Sequence, residues 1–158
     1  MNKEIINNEV FFGWVKAELA EGKSVRINVK GFSMLPYIRM GKDKVVIYPL
    51  KADEPKKGDV VLFRYKGRDI MHRVIRIDVE QYIIQGDGNY KGYEFCKRKD
   101  IVGIVRQVIR PSGRIVETSS RRWRWESRAW RSLGIFRYFP LKFFGLARRI
   151  KSKLGHKN

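Results

Sequence analysis

The spacing of apolar residues changes character twice along the chain. Over residues 7–21, Val10, Phe11, Trp14, Val15 and Leu19 recur at helical intervals among Lys16, Glu18 and Glu21. That spacing predicts an amphipathic helix packed on the domain and stopped by Gly22. From residue 24 the period shortens to two: Val25, Ile27 and Val29 alternate with polar neighbours over 24–30, the pattern of a half-buried strand. Further short apolar runs occupy 45–48, 60–65, 70–77, 82–85, 101–109 and 114–118. Turn-forming clusters separate them, among them Met40-Gly41-Lys42-Asp43, Lys57-Gly58-Asp59, Lys66-Gly67-Arg68-Asp69 and Arg110-Pro111-Ser112-Gly113. Many short strands set off by turns predict a mainly β chain, a barrel or sandwich, rather than alternating βαβ units.

Past Thr118 the helical period returns. Ser119 or Ser120 can cap a helix that places Trp123, Trp130, Leu133 and Phe136 near one face, and Pro140 is expected to break it. A second segment carries Leu141, Phe143, Phe144, Leu146 and Ile150 beside Lys142, Arg148, Arg149, Lys151 and Lys153. The change of pattern puts a boundary near Thr118, between a domain over 1–118 with its β-rich core at 24–118 and a tail over 119–158. No internal repeat is present.

Charge sharpens this division. The 158 residues carry a formal net charge of +19, and 43% of them are hydrophobic, enough for one domain with a real core. Residues 119–158 contribute twelve Lys and Arg against Glu126 alone. Basic charge mixed with Trp and Phe suits a helix lying on an anionic membrane surface, which is the leading reading of the tail. A partner protein ranks second. Nucleic acid ranks third, because phosphate affinity and base stacking would use the same residues but no nucleic-acid motif accompanies them. No signal peptide and no run of about 18 apolar residues is evident, so the expected location is cytoplasmic, peripheral at the inner membrane face.

Candidate chemistry is sparse. Cys96 is the single cysteine, and with only His72 and His156 no ligand-spaced metal set forms, so neither a metal nor a cofactor is expected. His156 reads as a solvated tail residue. Ser33 sits in Gly31-Phe32-Ser33-Met34-Leu35-Pro36, where the first strand ends before a proline. His72 lies in an alternating run that puts it on one face with Ile70 and Val74, with Met71, Arg73 and Ile75 opposite. Asp87 follows in Gly86-Asp87-Gly88-Asn89, which can equally be a plain turn. A serine, an imidazole and a carboxylate in this order can supply a nucleophile, its base and an orienting group.

The blocks at 31–36, 58–63 (Gly58-Asp59-Val60-Val61-Leu62-Phe63), 72–74 (His72-Arg73-Val74) and 86–89 together resemble the ordered motifs of the S24/S26 serine peptidases, specifically the signal peptidase I (S26) branch. The resemblance spans roughly residues 24–109 and implies a signal peptidase/LexA-like β-rich fold. Bacterial signal peptidases usually have a lysine base where His72 stands; the archaeal and endoplasmic-reticulum type uses histidine, and small relatives lacking a transmembrane anchor look closer still. By this resemblance Ser33 is the nucleophile, His72 the general base and Asp87 the acid that orients it. Glu94 is the alternative acid, because some histidine-type relatives place theirs several residues beyond the Gly-Asp pair. Main-chain groups of the serine block, at Gly31, Phe32, Met34 and Pro36, would line the oxyanion and substrate site. Relatives often carry a serine two residues before the nucleophile, where this chain has Gly31.

The implied activity is endopeptidase cleavage of leader or signal-like peptides in a peptide or protein substrate. The alternative is a non-catalytic member of the fold that binds a peptide or partner and uses the basic tail as an adaptor. A self-cleaving, DNA-binding S24 regulator is disfavoured, since that branch uses lysine at the His72 position.

Overall fold

The computed structural model describes residues 8–50, 54–79 and 81–143. The second tail segment from Phe144 onward, with Leu146, Ile150, its basic residues and His156, lies outside the described residues. Helix α1 (Asn8–Ala20) is followed by strands β1 (Val25–Asn28), β2 (Lys44–Pro49), β3 (Val60–Tyr65), β4 (Arg68–Asp78), β5 (Gln81–Gln85), β6 (Glu94–Cys96), β7 (Ile101–Ile109) and β8 (Ile115–Glu117), then helix α2 (Arg121–Ser132). Among the described residues the strands form one curled antiparallel sheet in the order β1-β2-β7-β3-β4-β5-β6, with β8 paired to β7. The fold is therefore mainly β, with helices at its two ends.

Local chemistry explains the joints. Gly22, at φ 82°, ends α1: its N–H donates to Leu19 O at 3.0 Å and the next N–H, of Lys23, to Glu18 O at 3.0 Å, so a left-handed residue closes the last turn. The β3–β4 hairpin turns on Lys66 and Gly67, with φ of 46° and 77°, and pairs Tyr65 with Arg68. Positive φ at both central residues matches the right-handed twist of the strands and permits a two-residue loop. Arg68 and Asp69, expected in the turn, consequently belong to β4.

Alternation along β3 decides where the core sits. Val60 and Leu62 join Val25, Ile27, Val45, Ile47, Val105 and Val108 on one face, whereas Val61 and Phe63 join Val74, Tyr82, Ile84 and Ile104 on the other. Both faces of β3 are thus covered. Helix α1 closes the first face through Val15 and Leu19, with Phe11 and Phe12 half-buried against it. Val10 and Trp14, expected on the packed stripe, instead face solvent at 66% and 50% exposure. Gly103 admits this helix, because a Cβ there would lie 2.7 Å from Ile47 Cγ2 and 3.1 Å from Leu19 Cδ1.

Helix α2 begins at Ser120, whose hydroxyl accepts from Trp123 N–H at 3.3 Å. Trp123 enters the same core cluster as Val15 and Val60, edge-on to Tyr37 with ring centroids 5.3 Å apart. Arg124 reaches the buried Asp59 at 3.1 Å. The change of composition at Thr118 thus coincides with the passage from strand to helix, and the helix packs on the sheet. The break expected at Pro140 occurs earlier: α2 ends at Ser132, a 3-10 turn spans Gly134–Arg137, and Pro140 falls in the first turn of a helical segment over 138–143. Proline is tolerated there because the first-turn N–H groups have no intrahelical partner.

Candidate active site

Ser33 lies in the irregular turn that follows β1, half-buried at the mouth of a cleft of about 150 Å³. Lys30, Gly31, Met34, Asp69, Ile70 and Met71 line the cleft with it. Among the described residues the Ser33 hydroxyl makes no hydrogen bond, and its N–H donates none. Gly31 opens the turn at φ 88°, a conformation suited to glycine. Phe32 is 41% exposed, while Met34 is buried in the core beneath.

The turn is held against the loop after β5. Gly88 N–H donates to Ser33 O at 2.7 Å. Neither glycine of Gly86-Asp87-Gly88 has room for a side chain. A Cβ on Gly88 would fall 2.7 Å from Phe32 O, and one on Gly86 would collide with Ser33 O while standing 3.0 Å from His72 Nε2. His72 Nε2 and the Ser33 main chain therefore flank the same glycine. This close approach is the physical reason for glycine at 86 and 88, beyond the turn propensity visible in the sequence.

His72 sits in β4 opposite Val61, buried, with its ring 6.4 Å from that of Phe63. Its Nδ1 is 3.2 Å from Glu94 Oε2, the carboxylate at the start of β6. The approach is a close contact rather than an aligned hydrogen bond, since both ring nitrogens and Glu94 Oε2 lack an aligned partner among the described residues.

Asp87 faces elsewhere. Its carboxylate takes two hydrogen bonds from Arg73, Nε to Oδ1 at 2.8 Å and Nη2 to Oδ2 at 2.6 Å, and both side chains are fully buried. Arg73 also donates to Gly58 O at 2.8 Å, and its guanidinium lies 5.4 Å from the Trp123 ring and 5.7 Å from the Tyr37 ring. Trp130 Nε1 donates to Asp87 O at 2.8 Å, and Arg137 Nη2 to Gln85 Oε1 at 3.1 Å. Burial, with Asp87 nearby, pushes the Tyr37 hydroxyl up to about 12. Adjacent residues of β4 thus serve opposite faces: His72 meets Glu94 on one, and Arg73 meets Asp87 on the other.

Sequence reasoning singled out Ser33, His72, Asp87 and Glu94 but missed the roles of Arg73, Tyr37, Trp123, Trp130 and Arg137. One signal was available: Arg73 alternates into a strand face shared with Met71, where a charge needs a partner. The short strand β6 was also unforeseen, having only three residues. Cys96 is buried, and burial pushes its thiol up to about 12, so it is not a thiolate at neutral pH. Among the described residues no group of three or more His, Cys, Asp or Glu could hold a metal, and no helix is long and apolar enough to cross a membrane.

Sequence comparison supports a distant relationship between this mainly β chain and the signal peptidases. Over 106 aligned residues the chain is 29% identical to the protein named signal peptidase complex catalytic subunit SEC11C in Homo sapiens, Canis lupus familiaris and Mus musculus. The match covers 58% of this chain and 55% of each of those proteins, so the chain spans about half the length of the curated relatives it matches. No protein-family model matches the chain.

Proposed function

We propose that the chain is a serine endopeptidase of signal peptidase I-like type, acting on leader or signal-like peptides through Ser33 and His72. The observation that carries this reading is the buried imidazole, with Nδ1 toward a carboxylate and Nε2 toward the glycine on which the Ser33 turn packs. In this mechanism neutral His72 takes the Ser33 proton as the hydroxyl attacks the scissile carbonyl, then gives that proton to the leaving amine. Glu94 holds the imidazole in the required tautomer. Asp87, saturated by Arg73, fixes the loop instead. The unengaged Ser33 N–H is suited to stabilising the oxyanion, a contribution worth roughly 100- to 1000-fold in rate when such a donor is lost. The cleft beside Ser33, about 150 Å³, suits small side chains near the cut.

The test is cleavage of a signal-like peptide library by wild type and Glu94→Gln. The amide introduced by this substitution would present the wrong tautomeric partner to His72, and a fall of roughly 10²- to 10⁴-fold in kcat with unchanged thermal unfolding is expected. A wild-type rate in Glu94→Gln would remove Glu94 from the mechanism. Catalytic hydrogen bonds often tighten only with substrate bound, which accommodates the off-line His72–Glu94 contact.

The absence of a Ser33 hydroxyl bond to His72 favours a second reading, a non-catalytic peptide-binding member of the fold. A library left uncut by wild type, with peptides bound equally by wild type and Ser33→Ala, would decide for it.

A peripheral position at an anionic membrane surface is supported by Ile135, Phe136, Phe139 and Phe143, each 66–70% exposed, on the strongly basic C-terminal segment. Phe136→Ser with Phe139→Ser is expected to lower partition onto phosphatidylglycerol-containing vesicles at least severalfold. Undiminished sedimentation of the double variant would remove these side chains from the contact.

A further inference from the structure

A second cleft, of about 490 Å³, opens beside the C-terminal part of the Ser33 turn, lined by Pro36, Arg39, Arg110, Pro111, Ser112 and Arg114. It shares no lining residue with the cleft at Ser33. Three arginines line it, and two of them, Arg39 and Arg110, engage the carboxylate of Asp43. Asp43 Oδ1 accepts from Arg39 Nη2 at 2.8 Å, while Oδ2 accepts from the Arg39 main-chain N–H at 2.7 Å and from Arg110 Nη1 at 2.7 Å. The Asp43 side chain is fully buried beneath the two arginines. Burial raises its carboxyl, but the hydrogen bonds from Arg39 and the charge of Arg110 outweigh this and hold it below the usual range, so it stays ionised.

The same bonds fix two of the guanidinium groups in place. Arg110 Nη1 is also tied to Tyr37 O at 2.9 Å. Arg39 Nη1, Arg110 Nε and Arg110 Nη2 remain without a partner among the described residues, and the Arg114 side chain has none there at all. Two prolines stiffen the rim, and the Ser112 hydroxyl adds a neutral donor. Two of the three guanidinium groups are thus oriented before any ligand arrives, in a site with a local excess of two positive charges.

From this arrangement we propose that the Arg39–Arg110–Arg114 cleft binds a phosphate monoester or diester group. A planar carboxylate satisfies one guanidinium fork, whereas the tetrahedral oxygens of a phosphate can meet three guanidinium groups from different directions. The volume lies within the range of small-molecule sites and exceeds what a bare ion fills, so the phosphate is expected to carry a substituent. The inference does not depend on the peptidase reading, and it stands or falls without it.

The test titrates the full-length chain with inorganic phosphate and, separately, with soluble dihexanoylphosphatidylglycerol, at ionic strength held constant with chloride. Saturable binding of the phosphatidylglycerol is expected. Arg114→Gln should weaken it about tenfold, the effect of losing one charge-assisted hydrogen-bonding group. Among the described residues the Arg114 side chain has no partner to lose, so this variant should fold as wild type does. Arg76→Gln, on an arginine 66% exposed and paired with Asp78 on β4, serves as the control and should bind normally. Binding of both ligands would show that the phosphate group itself is held, and binding confined to the lipid would show that its substituent is needed; binding of inorganic phosphate alone would overturn the ester assignment. Failure of both ligands to bind saturably would overturn the proposal. So would wild-type affinity in Arg114→Gln, or equal weakening in Arg76→Gln, which would mark diffuse attraction to a chain of charge +19.

Discussion

Ser33→Ala is expected to reduce peptide cleavage by roughly 10⁴-fold or more while leaving the thermal unfolding midpoint where it was. The size follows from the chemistry: without the hydroxyl there is no acyl intermediate, and only binding and oxyanion stabilisation remain to accelerate attack by water. The unchanged stability follows from the structure, in which the half-buried Ser33 hydroxyl has no hydrogen-bond partner among the described residues. Substitutions of that kind usually stay within about 0.5 kcal/mol. The measurement pairs kcat on a cleaved library peptide with unfolding of the same preparation. Residual cleavage at the wild-type rate would exclude Ser33 as nucleophile. Lost cleavage accompanied by a lowered midpoint would reassign it to the fold.

The second large effect concerns stability. Asp87→Leu or Arg73→Met alone should each cost about 3–5 kcal/mol, because either leaves a buried charge without its counter-charge. Against a total of roughly 5–15 kcal/mol for a domain, that is a large share. At about 2–4 °C per kcal/mol for a chain of this size, the midpoint should fall by roughly 6–20 °C. The double variant should recover much of the loss, since an apolar pair leaves no charge stranded. Arg73 also lies against the Tyr37 and Trp123 rings, so the single change at Arg73 should be the more damaging of the two. Additive losses in the double variant would show that the pair is not the source of the stabilisation. Because Asp87 O also receives Trp130 Nε1, loosening this loop should lower activity through the position of Gly86 and Gly88 rather than through proton transfer.

Much of this architecture was legible from local patterns. Alternation at Val25, Ile27 and Val29 and the turn at Lys66-Gly67 depend on side-chain period and on φ preferences, which a chain carries wherever it folds. Ser120 was legible as a cap because its partner, Trp123 N–H, is three residues away. The stripe on α1 was legible only in part. Helical period located a face but could not say whether Phe12 or Trp14 turned inward; in the packed chain Phe12 lies against the core and Trp14 faces solvent.

The candidate site divides in the same way. The sequence by itself determined which residue types were present and in what order: a serine after a strand, a histidine inside one, and two carboxylates, Asp87 and Glu94, within reach of the same loop. It also determined, through period two, that His72 and Arg73 point to opposite faces. Which carboxylate meets which partner was decided only by the tertiary structure. The answer depends on β6 pairing with β5, which joins residues 10 to 14 positions apart, and on α2 folding back over Tyr37, where Trp123 is 86 positions away. Pairing of charges in a protein interior is set by who is buried together, and burial is a property of the packed chain rather than of any stretch of it.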